Sequence, residues 1–176
     1  MTDEFLRVVT MNAGLVLAMM TAMWALSVVI RDSSIADIFW GAGFVVIVLF
    51  TASVSDGSEE RRNLVTLLTA IWGVRLAIYI GWRNWGAEDR RYARLRQHVE
   101  SQGENYTLHS LIHIYLLQGL FMWLVSLVLI FAMTMDTPAS LGTLAYIGVA
   151  LWLLGMIFET VGDWQLSRFL GNSDNV

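Results

Sequence analysis

The sequence LIHIYLLQGLFMWLVSLVLIFAM, residues 111–133, contains no aspartate, glutamate, lysine or arginine. A helix rises about 1.5 Å per residue, so a helical run of this length crosses the roughly 30 Å hydrocarbon core of a bilayer. Lipid offers no hydrogen-bond partner to an open backbone, and a segment that crosses it must therefore be helical. This run predicts a transmembrane helix.

Four further runs have a similar apolar composition: residues 8–30, 35–54, 64–82 and 141–161, approximately. The first of them is longer than the apolar core of a signal peptide and lacks a basic N-terminal region, so we interpret it as a retained helix. The sequence thus predicts an all-α fold. We expect a single polytopic membrane domain, residues 1–176, with about five transmembrane helices and contacts with membrane lipids.

The composition agrees with a membrane protein. Of the 176 residues, 56% are hydrophobic and 15% are charged, whereas soluble domains carry about a quarter charged residues. The formal net charge of -4 gives no indication of a nucleic-acid partner. The absence of cysteine excludes disulfides, thiolate metal sites and a cysteine nucleophile.

The arginines indicate how the helices are oriented. If five helices cross the membrane, the N-terminus and connections 55–63 and 136–140 share one side and carry three arginines. The opposite side carries seven, and five of these lie in the long connection 83–110. Cytoplasmic loops are enriched in arginine and lysine. The distribution predicts that connection 83–110 is cytoplasmic and that the N-terminus lies outside.

The long connection also contains a helical pattern. Tyr92, Leu95 and Val99 recur at helical spacing, opposite the arginines. This pattern predicts a short amphipathic helix that lies in the membrane interface.

Ionisable groups in apolar runs are costly in hydrocarbon and are therefore candidates for a functional site. Asp37 lies near the start of the second run, where the alternative is an interfacial carboxylate stabilised by the helix dipole. Arg75 lies deeper and shares a helical face with Tyr79. Its partner is Asp37, Glu159 or a bound phosphate, and the alternative is a purely structural ion pair. Glu159 and Asp163 share a face of the fifth run.

Two other polar features have simpler explanations. Gln118 lies within the fourth run, where an interhelical hydrogen bond accounts for an uncharged amide. His109 and His113 have the spacing of a metal-binding pair, but no third ligand of suitable spacing is nearby. We expect interfacial histidines and no metal.

Several of these elements occur in the same order in a known family. They are Asp37-Ile-Phe-Trp-Gly, Arg75-Leu-Ala-Ile-Tyr-Ile-Gly-Trp-Arg, Glu88-Asp-Arg-Arg-Tyr, Gln118, and Glu159 followed four residues later by Asp163-Trp-Gln. From about residue 35 to 169, the chain resembles the bacterial, largely uncharacterised membrane relatives of the steroid 5α-reductase family.

The resemblance implies a reductase that uses NADPH on the cytoplasmic side, in a bacterial inner membrane. Its substrate would be a hydrophobic lipid or steroid-like molecule with an activated carbon–carbon double bond. The nearest counterparts of the family's catalytic acid and tyrosine are Asp37 and Tyr79. On the fifth helix, Glu159, Asp163 and Arg168 correspond to positions that line the nucleotide pocket, with a departure at Glu159.

Arginines are suited to the phosphates of such a cofactor because the guanidinium group binds them in bidentate fashion. Arg75 and Arg91 are therefore further candidates for cofactor binding. The family normally continues past the fifth helix into a cofactor-binding segment with a motif similar to Arg-His-Pro-Asn-Tyr-x-Gly-Glu. This sequence contains no such motif, so we expect it to represent the N-terminal part of a longer fold or to have lost that segment.

Two alternatives remain at this point. A methyltransferase of the isoprenylcysteine type shares the general membrane architecture and would bind S-adenosylmethionine. A truncated helical bundle or small transporter subunit would have no catalytic activity. No feature of the sequence fixes an oligomeric state.

Overall fold

A computed structural model describes residues 2–84, 86, 88–138 and 140–171. All regular structure in these ranges is helical. The helices are α1 (Thr2–Ile30), α2 (Ile35–Val54), α3 (Glu59–Arg83), α4 (Arg90–Ser101), α5 (Tyr106–Ser110), a π-helical segment (Leu111–Leu116), α6 (Leu117–Thr134) and α7 (Thr143–Leu170).

Five helical stretches of the described residues are long and apolar enough to cross a membrane. They are Thr2–Ile30, Ile35–Val54, Glu59–Arg83, Tyr106–Thr134 and Thr143–Phe169. The prediction of an all-α polytopic membrane protein is therefore confirmed.

The helices extend beyond the apolar runs that predict them. The first begins at Thr2 and the third at Glu59, several residues before the apolar sequence starts, and the last continues to Leu170. A helix satisfies its own backbone hydrogen bonds, so it can continue through polar turns where the chain leaves the hydrocarbon. Hydropathy alone marks only the part of each helix that lipid surrounds.

Helices α2 and α3 approach each other at two glycines. A Cβ atom added at Gly41 would collide with the carbonyl oxygen of Gly73, and one added at Gly73 would collide with the carbonyl oxygen of Gly41. Small residues allow this close backbone approach in membrane helices. Next to the crossing, the Phe44 ring makes edge contacts with Trp40 and Trp72, at centroid distances of 5.4 and 5.7 Å. The α2–α3 pair is thus closely packed.

The interior of residues 2–138 lies among α1, α2 and α6. Its largest fully buried side chains include Tyr115, Met20, Ile47, Met122 and Ile130. Methionine is unbranched and flexible, and it fills the irregular space between such helices.

At one end of the bundle formed by residues 2–138, two arginines donate hydrogen bonds to backbone carbonyl groups at the C-terminal ends of helices. Arg62 donates to the carbonyl oxygen of Ala52, in the last turn of α2, and to that of Ser55, the C-cap of α2. Arg61 donates to the Met135 and Pro138 carbonyl oxygens, at 3.1 and 2.7 Å, just after α6. These bonds satisfy carbonyl groups that a helix end leaves without intrahelical partners.

Residues 140–171 form a second compact unit, which consists mainly of α7. Within α7, the Arg168 guanidinium lies 5.0 Å from the centroid of the Trp164 ring. The Ser167 hydroxyl donates to the Asp163 carbonyl oxygen at 2.9 Å. The prediction of one membrane domain for the whole chain stays a prediction.

Candidate functional site

Helix α4 covers the polar end of the bundle where α1 and α2 are joined. Val99 is 2% exposed, and the half-buried Tyr92 and Leu95 pack against the same hydrophobic cluster. The predicted amphipathic helix therefore exists, and its apolar face packs against the bundle. This packing brings the polar side chains at the start of α4 over the first turn of α2.

Asp37 is the centre of a hydrogen-bonded group that joins three elements. The Tyr92 hydroxyl donates to Asp37 Oδ1 at 2.7 Å, and Arg91 Nη2 donates to Asp37 Oδ2 at 2.8 Å. Gln118 Nε2, from the fourth span, donates to the Tyr92 hydroxyl oxygen at 3.4 Å. The hydrogen bonds thus run from an amide within a membrane span to the exposed Arg91.

The Arg91 side chain is also tied to the start of its own helix. Asp89 is the N-cap of α4 and accepts a hydrogen bond from the Arg91 backbone N–H at 2.9 Å. Its carboxylate also accepts from Arg91 Nε and Nη2, both at 3.1 Å. Arg83, at the end of α3, lies 3.8 Å from Asp89. The charged side chains of Arg83, Asp89 and Arg91 therefore fix the N-terminal end of α4 beside Asp37.

The α1–α2 turn is held by hydrogen bonds to all three polar groups of Ser33. Its N–H donates to Glu88 Oε1 at 2.8 Å, its hydroxyl accepts from the Tyr106 hydroxyl at 2.9 Å, and its carbonyl accepts from the Tyr115 hydroxyl at 3.2 Å. Arg96 donates to the same Glu88 oxygen at 2.8 Å. Asp37 lies one helical turn after Ser33. The hydrogen bonds that fix Ser33 therefore also fix the position of the Asp37 carboxylate.

Among the groups of this connection whose pKa values are shifted, Tyr92 and Asp89 shift in opposite directions. Burial raises the pKa of the Tyr92 phenol well above its usual range, and its hydrogen bond to Asp37 raises that pKa further. Tyr92 is therefore a neutral hydrogen-bond donor at ordinary pH. In contrast, hydrogen bonds from Arg91 lower the pKa of Asp89, which stays ionised.

The structure brings together only some of the residues that the sequence singles out. Asp37 and Arg91 form an ion pair. Tyr79 lies at the margin of this group, with the Arg83 guanidinium 6.0 Å from its ring centroid. Arg75 precedes Arg83 by two helical turns, which places it about 12 Å further into the span. Glu159, Asp163 and Arg168 lie on α7, in the second unit.

Tyr92 is the residue whose importance the sequence analysis missed. Its position in the helical pattern accounts for the burial of its ring, but a tyrosine in an apolar stripe carries a polar end as well. The available signal was its place directly after Arg91 in Glu88-Asp-Arg-Arg-Tyr, the element that supports the family resemblance. A tyrosine hydroxyl on a packed face needs a partner, and Asp37, a carboxylate in the first turn of an apolar helix, was one candidate.

The fold and this polar end define a polytopic α-helical membrane protein with a half-buried, hydrogen-bonded carboxylate at one end of its helix bundle. The chain belongs to the family described as protein of unknown function DUF1295, which matches residues 23–176.

A similar protein is found in Schizosaccharomyces pombe, where it is described only as uncharacterised. It is 26% identical over 149 residues, which are 81% of this chain and 43% of the relative. The chain therefore spans less than half the length of this curated relative. No solved structure matches the chain.

Proposed function

We propose that this chain is the membrane part of an NADPH-dependent reductase that acts on an activated carbon–carbon double bond of a lipid or steroid-like substrate. The observation that carries the proposal is the half-buried Tyr92 hydroxyl, held by the Asp37 carboxylate and the Gln118 amide. A neutral phenol at the end of a membrane bundle is suited to bind the oxygen of an apolar enone. The order of the motifs along the chain supports the same class of reaction.

The reduction adds a hydride and a proton across the double bond. NADPH, when bound, would supply the hydride. Tyr92 would bind the enone oxygen, stabilise the negative charge that develops there as the β-carbon takes the hydride, and protonate that oxygen to give the enol. Solvent then protonates the α-carbon, and the enol proton returns to the Tyr92 oxygen. Rotation about the bond between the ring and the hydroxyl oxygen turns that proton from Asp37 toward a substrate without moving the ring. The Asp37 carboxylate keeps its ion pair with Arg91 during this rotation.

The donor groups of Arg91 fit an anionic cofactor. The side chain is 68% exposed, and its bonds to Asp37 and Asp89 use Nε and Nη2. Within the described part of the chain, Nη1 makes no hydrogen bond. It can therefore donate to a phosphate oxygen while the ion pair with Asp37 persists.

The resemblance assigns Glu159, Asp163 and Arg168 to cofactor binding as well, and Arg75 is a candidate because its guanidinium group is suited to a phosphate. We propose that Asp163→Ala and Arg168→Ala each weaken NADPH binding by the full chain in nanodiscs. Unchanged affinity in both variants would remove α7 from the proposal. Tyr79→Phe tests the corresponding assignment of Tyr79 as a catalytic residue.

The direct test is a rate measurement on the full chain in nanodiscs, with NADPH and an enone steroid as the probe substrate. Tyr92→Phe removes only the hydroxyl, and we expect it to lower kcat by about 100-fold or more while NADPH affinity is kept. Asp37→Asn should also lower kcat, because it removes the charge that orients Tyr92. Tyr146→Phe, on the exposed surface of α7, is the matched control and should keep the wild-type rate.

Three results would contradict the proposal. An unchanged kcat for Tyr92→Phe would remove Tyr92 from the reaction. Binding of S-adenosylmethionine without any response to NADPH would favour the methyltransferase alternative. Binding of neither NADPH nor S-adenosylmethionine would favour a non-catalytic bundle.

A further inference from the structure

Helix α4 has a basic face that the Asp37 site does not use. Arg90 and Arg94 are four residues apart and both are exposed. Residues four apart on a helix are neighbours on its surface, with Cβ atoms about 5–6 Å apart. Neither arginine forms an ion pair or hydrogen bond with any residue that the structure describes. Within the described part of the chain, no carboxylate pairs with these two adjacent guanidinium groups.

The acidic side chains nearest in sequence are bound to other groups. Asp89 accepts hydrogen bonds from Arg91, and Glu88 accepts them from Arg96 and the Ser33 backbone. Glu100 is four residues beyond Arg96, and its negative charge favours the charged form of the Arg96 guanidinium. These three carboxylates therefore interact with arginines other than Arg90 and Arg94, and a fourth, Glu104, lies 3.6 Å from His109. No contact among the described residues takes up the two exposed guanidinium groups.

The basic face lies on the opposite side of α4 from the bundle. At about 100° per residue, Arg90 is roughly 180° around the helix from the buried Val99. Arg94 lies about 40° from Arg90, whereas Arg91 lies on the flank, where it reaches Asp37. The pair is therefore a different surface from the one proposed to hold a substrate.

We infer that Arg90 and Arg94 together form a binding site for a phosphate group. Guanidinium groups bind phosphate oxygens in bidentate fashion, and two of them at this spacing can bind one phosphate. The phosphate can come from the headgroup of an anionic phospholipid, since α4 adjoins the ends of membrane-crossing helices, or from a soluble nucleotide. The inference does not depend on the proposed reductase activity.

The test uses the full chain with Arg90→Gln and Arg94→Gln combined. In the lipid arm, native mass spectrometry counts phosphatidylglycerol molecules that stay bound to protein released from mixed phosphatidylcholine and phosphatidylglycerol nanodiscs. In the nucleotide arm, NADPH and NADH are titrated into protein in phosphatidylcholine nanodiscs. We expect about thirtyfold weaker binding in one of the two arms, because each arginine near a phosphate surface contributes about fivefold.

The arm that responds identifies the source of the phosphate. Arg90→Lys combined with Arg94→Lys keeps the charge and should lose much less affinity than the glutamine pair. Arg7→Gln is the control at the other end of residues 2–138. It removes an exposed arginine that contacts the Val54 carbonyl and Asp56 rather than a ligand, and it should change neither arm. Because both α4 side chains are exposed, the variants keep their packing. Unchanged affinity of the glutamine pair in both arms would overturn the inference.

Discussion

The Tyr92 phenol combines a half-buried ring with a hydroxyl bound to Asp37, and this environment disfavours its ionised form. Its pKa is therefore higher in the folded than in the unfolded protein, where it is about 10. The neutral phenol stabilises the fold at every pH below about 10, and this contribution is lost as the pH rises through the folded-state pKa.

We therefore expect the unfolding free energy of the wild-type protein to fall more steeply above pH 10 than that of Tyr92→Phe. Thermal unfolding in detergent, followed by circular dichroism at a series of pH values, measures the difference. Parallel pH dependence of the two proteins would contradict the assigned environment of Tyr92.

Asp89 contributes to stability with the opposite pH dependence, since its stabilising effect is lost as the pH falls. As N-cap of α4 it accepts from the Arg91 N–H, and its pKa is lowered. Its stabilising contribution is present above the unfolded-state pKa of about 3.9 and is lost as the pH falls through the lower folded-state value. We expect Asp89→Ala to cost about 1 kcal/mol of stability at neutral pH.

The comparison variant is Asp89→Asn, which keeps the cap and removes the charge. It should cost less than the alanine variant, because asparagine is an equally good N-cap. Hydrogen exchange of the first turn of α4 reports the loss locally. Equal protection in the alanine variant and the wild type would contradict the assigned cap.

The residues of this site differ in how far their role could be predicted from the sequence around them. Asp37 was identified because a charge in an apolar helix is costly and needs a partner, and Arg91 because guanidinium groups suit the phosphates of a cofactor. Their pairing with Tyr92 was not predicted, because it depends on how α4 docks over α2. Ser33 is similar: a turn serine gives no sign that three other elements bind its backbone and hydroxyl.

At the scale of single elements, the α2–α3 crossing is determined by its glycines. We expect Gly41→Ala to destabilise the protein by about 1–3 kcal/mol, because its Cβ would meet the rigid Gly73 backbone. Gly14→Ala in α1 is the control, since an added Cβ there meets no described atom within 4 Å. Melting temperatures in the same detergent compare the two, and an unaffected Gly41→Ala protein would contradict the close crossing.

The helices were the most predictable elements, because lipid restricts a crossing segment to this structure. Their polar ends were not, since a helix needs no apolar residues once it leaves the hydrocarbon. The π-helical segment Leu111–Leu116 was also not predicted. Its six residues are as apolar as the α-helix that follows, so hydropathy does not distinguish the two.

At the scale of the whole molecule, the arginine distribution predicts the orientation in the membrane. The chain contains no cysteine, so single cysteines can be introduced without further changes. We expect Asp56→Cys to react with a membrane-impermeant maleimide on intact spheroplasts, because connection 55–63 is predicted to lie outside. Gln102→Cys, in the predicted cytoplasmic connection, should react only after permeabilisation. Labelling in the reverse order would contradict the predicted orientation.

The central proposal is a hydride transfer at the Asp37–Tyr92 pair, and isotope transfer tests it most directly. The full chain in nanodiscs is incubated with NADPH carrying two deuterium atoms at the reactive ring carbon, so that transfer from either face is labelled, and with an enone steroid. The product is analysed by mass spectrometry. We predict a reduced product with one deuterium on the former double bond, and its near absence with Tyr92→Phe. A reduced product without deuterium, or the same labelled yield from Tyr92→Phe, would contradict the proposed reaction at this site.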